Sequence, residues 1–322
     1  MDTQTEAGND GPVPAGLRRL YTRHTPEADR LAGADPALPD FDAIIASHRR
    51  LAGRRDPGRA VVTVHPGQGA GAIVEIVTDD MPFLVESVLA GIGRVGGSVR
   101  RVVHPIVVVR RDGSGALTGV DTEADPAAAP AGALVESWMH LDVDVSETTT
   151  QDLDALRGEL ERTLHDVREV VEDGALMMAR ARQISEVGVG ETRAAGGDGS
   201  LSPGEVAELL DWLTDDHFTF IGYRHYTSDG DKLVPEAGSG LGVLRRDDAG
   251  SRMFLPDEDS ASPRPDAATL VLTRASGPSR VLRPVHPYYL GVRTRGVDGT
   301  VTGEHRFLGM LTVPARYESV LD

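Results

Sequence analysis

The chain has 322 residues and a net charge of −17, which disfavours nucleic acid and an anionic membrane surface as partners, because both select basic surfaces. It contains no cysteine, so disulfides, thiolate nucleophiles and cysteine-ligated zinc are excluded. The first residues have neither a basic start nor an apolar run, and no stretch approaches ~20 uninterrupted apolar residues, so no signal peptide or membrane span is expected and the cytoplasm is the default.

Residues 1–40 are rich in Pro, Gly and Asp around a short Leu17–Tyr21 segment, the composition of a flexible leader. A short helical lead-in is expected over 41–58, with Asp40 as cap and Phe41, Ile44, Ile45 and His48 on one face. Residues 59–65 and 72–77 are β-branched strands joined by a glycine-rich turn. Asp79 and Asp80 then stand where the first unpaired N–H groups of a helix need acceptors, and Pro82 fits the first turn. Leu84, Val88, Leu89, Ile92 and Val95 recur at helical spacing, and Gly96-Gly97 suits the left-handed end of that helix. Residues 99–109 are too β-branched for anything but strand, with an edge or bulge at His104-Pro105.

Residues 137–145 alternate. Met139, Leu141 and Val143 face one way, and Trp138, His140, Asp142 and Asp144 the other, as in a half-buried strand with a solvated face. Leu153, Leu156, Leu160, Leu164, Val167 and Val171 mark a long helix, extended through Met177-Met178. The order strand, strand, helix, strand, strand, helix predicts a permuted ferredoxin-like αβ sandwich, in a domain over 59–193. Residues 194–201 read as a linker. Ser202-Pro203-Gly204-Glu205 is a capping box opening one helix. Strands follow at 218–226, 240–245, 269–274, 280–295 and 301–313, the last two turning at Val297-Asp298-Gly299. The chain is therefore α+β, with an antiparallel, PAS-like sheet domain over 202–322.

Asp80-Met81-Pro82-Phe83-Leu84-Val85, followed by Gly96-Gly97 before a strand, resembles the D-x-P-G-L-L start of an ACT domain. ACT domains are regulatory βαββαβ modules that often bind amino acids. The resemblance implies an amino-acid effector at Asp79, Asp80, Met81, Pro82, Gly96 and Gly97, where helix N–H groups and a glycine turn suit a carboxylate. Phe83 replaces the usual glycine, and a benzyl group there opposes close approach. Three further segments, Glu136-Ser137-Trp138-Met139-His140, 211–224 and 303–309, are similar in the same order to the N-terminal region of the large bacterial NAD-specific glutamate dehydrogenases. The similarity covers roughly residues 40–322. In that family this region carries ACT-like and PAS-like modules ahead of the dehydrogenase core.

The resemblance implies the front part of a longer enzyme, incomplete at its C-terminus, with regulatory and assembly roles. The parent would convert L-glutamate, NAD and water to 2-oxoglutarate, ammonium and NADH. NAD would belong to the parent and no cofactor to this chain. Its partners would be a second copy, the downstream core and an amino-acid effector. Gly67-Gln68-Gly69-Ala70-Gly71 joins two strands, whereas a dinucleotide fingerprint opens a helix. Lys232, the only lysine, sits by the turn Ser228-Asp229-Gly230-Asp231, where it cannot serve as an active-site lysine. His140, Asp142 and Asp144 could ligate a metal at alternate strand positions, and Asp215-Asp216-His217 could be an acid/base pair, but a solvated face and a helix end account for both more simply. No catalytic or metal-binding residue is expected. A free-standing ACT/PAS-type metabolite sensor and a hydrolase or metalloenzyme using His140 or His217 are the competing readings.

Overall fold

A computed structural model describes residues 12–23, 40–67, 71–145, 149–188, 201–230, 232–246 and 268–312. The chain divides into two compact units, 1–165 and 166–322. The expected linker at 194–201 falls almost wholly outside the described residues.

In the first unit, α1 (Ala15–Arg23) and α2 (Phe41–Leu51) precede the hairpin β1 (Val61–Pro66) and β2 (Gly71–Asp79). Helix α3 (Leu84–Arg94), β3 (Ser98–Val103), β4 (Ile106–Arg111), β5 (Leu117–Asp121), β6 (Leu134–Asp144) and the long α4 (Thr150–Val187) follow. The sheet order is β1-β2-β6-β4-β5, with β3 also paired to β6, and every pairing is antiparallel. The strand expected over 99–109 is thus two strands on the same neighbour. Proline lacks an N–H, so the break falls at His104-Pro105, yet Trp138 N–H still donates to the Pro105 carbonyl at 3.1 Å.

Register fixes the two faces of this sheet. Val74, Ile76, Met139, Leu141 and Val143 are buried on one face. That is the side of α3 and the start of α4, where Gly97 packs against Ile92 and Val143. Glu75, Val77, Glu136, Trp138 and His140 lie on the other. There Leu17 and Tyr21 of α1 and Ile44, Ile45 and Ala52 near α2 form a core with Val77, Val103, Val107, Val109 and Trp138. Two expectations change. Part of the supposed leader, residues 15–23, is a helix with Leu17 and Tyr21 buried. The supposed solvated face of β6 is roofed over Trp138 and His140, 0% and 7% exposed, and stays open only toward Asp144 at its end.

Helix α3 begins without the expected carboxylate cap. Its N-cap residue is Phe83, at φ 71°, with no side-chain cap bond. A bulky residue rarely adopts that left-handed conformation, which is the one glycine takes freely. Gly96 closes the helix at φ 78°, as anticipated.

The second unit takes the later part of α4, then α5 (Pro203–Trp212), β7 (Phe218–Asp229), β8 (Lys232–Pro235), β9 (Leu241–Gly242), β10 (Leu270–Arg274), β11 (Tyr288–Arg295) and β12 (Val301–Leu311). Its sheet runs β10-β11-β12-β7-β8, with β9 on β7, again all antiparallel. The Ser202/Glu205 capping box is formed. Residues 280–287 are not strand: Arg283 and Val285 donate to the carbonyls of Val281 and Arg283, curling the chain with Leu282 at φ 67°. The boundary falls within α4 because its later carboxylates are used in this unit. Asp166 pairs with Arg280, Glu169 with Arg246, and Glu172 and Asp173 with Arg245. Among the described residues, no helix is long and apolar enough to cross a membrane.

Candidate functional site

The acidic corner before α3 is occupied by its own structure. Asp79 Oδ1 accepts from Arg55 Nη2 at 2.5 Å, and Asp80 Oδ1 accepts from Ser137 Oγ at 2.5 Å. His104 Nε2 lies 2.9 Å from the same serine oxygen. The polarity is opposite to that of a nucleophilic triad, since the serine proton goes to the aspartate, and Ser137 is fully buried. Met81 and Pro82 follow in the turn, half-buried and exposed respectively. Gly96 and Gly97 stand at the far end of α3, an 11-residue helix about 16 Å long. The six residues therefore form two groups, Asp79 to Pro82 and Gly96-Gly97, at opposite ends of one helix.

Behind the corner lies a buried charge cluster centred on Glu136 of β6. Glu136 Oε1 accepts from Arg55 Nε and Nη2 at 3.0 and 2.7 Å and from Arg111 Nε at 2.7 Å. Oε2 accepts from Arg111 Nη2 and Trp138 Nε1, both at 2.9 Å. Burial would push its pKa up, but the bonds from Arg111 and Trp138 and the two guanidinium charges outweigh that and hold it below the usual carboxylate range.

Two same-face positions along β6, beyond Trp138 and toward α2, lies a second cluster. Glu75 of β2 is paired in register with His140 of β6, and His48 reaches in from α2. One ligand atom from each of these three buried side chains lies within 4.8 Å of the others. Tyr21 Oη is 2.6 Å from His48 Nδ1, and His48 Nε2 is 3.0 Å from the Met139 carbonyl oxygen. Ser47 Oγ donates to Glu75 Oε2 at 2.8 Å. His140 Nδ1 faces Glu75 Oε1 at 3.6 Å, and its Nε2 faces Asp142 Oδ1 at 3.4 Å. The first of these is beyond hydrogen-bond reach, leaving Nδ1 buried with no hydrogen-bond partner. Burial drives the His48 pKa down to about 4. For His140 burial acts the same way but is outweighed by the Asp142 and Glu75 carboxylates, so its pKa is raised. Glu75 is held below its ordinary value despite burial, by His140, Ser47 and His48.

Of His140, Asp142 and Asp144, only His140 belongs to this three-residue group. Asp144 is exposed and pairs with Arg100 at 3.0 Å, while Asp142 stands behind the ring. His48 and Glu75 were the missed members. Their signal was an imidazole on the apolar face of a helix and a lone carboxylate inside an apolar strand.

The second unit contains a parallel to the Glu136 cluster. Glu304 of β12 accepts from Tyr289 Oη at 2.5 Å, Arg306 Nε at 2.8 Å and Arg293 Nε at 3.0 Å, and all four side chains are buried. Arg306 also lies over the Tyr226 ring, 3.8 Å from its centroid. The His217 ring stacks on Trp212 at 4.4 Å, with Nδ1 2.8 Å from the Trp212 carbonyl oxygen. Asp216 beside it takes the left-handed conformation of the turn into β7, at φ 58°. The segments that carried the resemblance to the dehydrogenases thus supply buried polar centres and a tight turn.

Comparison with known proteins agrees with that resemblance. The family model for the glutamate dehydrogenase ACT1 domain matches residues 17–160. NAD-specific glutamate dehydrogenases from Mycobacterium tuberculosis and Pseudomonas aeruginosa are 30% and 33% identical over 303 and 298 residues, covering 92% and 88% of this chain. The one from Halomonas elongata is 31% identical over 264 residues, 79% of the chain. The chain spans only 16–18% of the length of these relatives. It is a relative of the large bacterial NAD-specific glutamate dehydrogenases, with their ACT1 domain at residues 17–160.

Proposed function

We propose that this chain is the N-terminal regulatory and assembly segment of an NAD-dependent glutamate dehydrogenase, and that it carries out no hydride transfer itself. The observation that carries the reading is the mismatch of coverage. Nearly the whole chain aligns, yet it accounts for 18% of the Mycobacterium tuberculosis relative, leaving most of that protein for other work. Two local features support the non-catalytic part. Gly67 N–H donates to the Gly71 carbonyl at 2.8 Å, closing a turn between antiparallel strands, whereas a pyrophosphate cradle opens a helix. Lys232 stands exposed on β8.

In this reading the first unit is a permuted ferredoxin-like sandwich. Its order β1-β2-β6-β4 is what results from moving the last strand of a βαββαβ module to the front. The second unit is PAS-like, a reading supported by its antiparallel sheet beside one short helix. NAD belongs to the parent enzyme, which would work in the cytoplasm, and the segment would contact a second copy and the dehydrogenase core. The amino-acid effector assigned to Asp79, Asp80, Met81, Pro82, Gly96 and Gly97 would touch only one of the two groups within a single copy, given the length of α3.

The test is an assay of the purified chain for glutamate-dependent NAD reduction, run beside a panel of amino acids in thermal-shift measurements and a determination of native mass. No turnover, a native mass above that of one chain and stabilisation by an amino acid are expected. Turnover would overturn the non-catalytic assignment, a monomer the assembly role, and a flat panel the effector site.

A further inference from the structure

We propose that His48, Glu75 and His140 form a binding site for one divalent transition-metal ion of the zinc type, a donor set of two imidazoles and a carboxylate that suits such ions. The inference stands apart from the dehydrogenase reading, because it rests only on the interior of the first unit.

Three elements, α2, β2 and β6, each bring one ligand atom to within 4.8 Å of the other two. The decisive spacing is that between His140 Nδ1 and Glu75 Oε1, 3.6 Å. It is too long for a hydrogen bond. Two ligand atoms of a tetrahedral zinc ion, each about 2.1 Å from the metal, stand about 3.4 Å apart. Nδ1, which lacks a hydrogen-bond partner, and the oxygen it faces therefore stand at a spacing that two ligand atoms of one ion also take.

The surroundings complete the donors. Ser47 Oγ holds Glu75 Oε2, turning Oε1 toward the imidazole. Asp142 stands behind His140 Nε2, as carboxylates stand behind metal-binding histidines to fix the tautomer and raise ligand basicity. His48 is arranged likewise. Its Nε2 faces the Met139 carbonyl and so carries the proton, which leaves the lone pair on Nδ1. That lone pair now accepts from Tyr21 Oη at 2.6 Å, so an ion bound through Nδ1 displaces this hydrogen bond while the hydroxyl keeps its proton. The site lies between helices and sheet with little access to solvent, which suits a structural ion that ties α2 to the strands.

The experiment uses the full chain without a histidine tag, stripped with a chelator and titrated with Co2+ and then Zn2+. One ion per chain, the visible absorption of tetrahedral cobalt and a rise in Tm on adding zinc are expected. Glu75→Gln and His140→Gln, each shown to be folded by circular dichroism, should weaken binding about tenfold or more. Absence of stoichiometric uptake by the wild-type chain overturns the proposal, and so does undiminished uptake by both folded variants. Should neither variant fold, the wild-type cobalt spectrum decides: no tetrahedral band, no site.

Discussion

Arg55 and Glu136 lie 81 residues apart in sequence and meet at 2.7 Å with 1% and 0% of their side chains exposed. Removing one partner of such a pair leaves an uncompensated buried charge. Glu136→Gln should therefore destabilise the first unit by about 3–5 kcal/mol, read as a lower urea midpoint followed by Trp138 fluorescence. Asp144→Asn breaks the Arg100 pair, where both side chains are about half exposed, and should cost less than about 1 kcal/mol.

Phe83 sits at φ 71° with no cap bond to offset the strain. Phe83→Gly should hold or raise the Tm despite the loss of a partly buried ring, because glycine occupies that conformation freely. A β-branched replacement, Phe83→Val, should lie at least about 1 kcal/mol below the glycine variant in chemical unfolding. Equal stabilities would mean the backbone relaxes there.

His305 gives the second unit a pH dependence. Its pKa falls to about 4, chiefly through burial, reinforced by the neighbouring His225 and Arg180 and opposed by Glu236 and Glu304. The unfolded chain binds this proton first as the medium acidifies. The contribution to stability is thus complete above about pH 6.5 and is lost as pH falls toward 4, by up to about 3 kcal/mol. His305→Gln should flatten the stability profile of this unit between pH 6.5 and 4 by that amount, measured by urea unfolding at stepped pH.

Gly309 lies where the β12–β7 register shifts, between Leu308 and Gly309. A Cβ there would collide with the Phe218 ring and the Thr219 carbonyl oxygen. The ring could turn, but the backbone could not move without breaking the ladder. Gly309→Ala should lower the Tm by several degrees, whereas Gly113→Ala, in open space, should leave it within a degree or so.

What could be read from sequence was local. The α2 cap at Asp40, the Ser202/Glu205 box, the Gly96 helix end and the turn at Val297-Asp298-Gly299 each depend on residues a few positions apart, and each is present. What escaped depends on distant partners. A charged strand residue is ordinarily at the surface, so the burial of Glu136 follows only from Arg55 and Arg111 arriving from elsewhere. The same holds for His140, whose exposed appearance in the alternating pattern vanishes once α1 and α2 lie over β6. Asp79 and Asp80 looked like helix caps because nothing nearby showed that Arg55 and Ser137 would claim them. Residues 280–287 had strand composition, but the turn at Leu282 reversed them.

The helix at Ala15–Arg23 also decides where this molecule can be cut. An expression clone starting near residue 40 would look reasonable from composition, yet it would strip Leu17 and Tyr21 from a face they seal and leave His48 without the hydroxyl it now holds. Such a shortened chain would offer Trp138 and its neighbours to solvent, and clumping in the test tube would then reflect the choice of start codon rather than any weakness of the native protein.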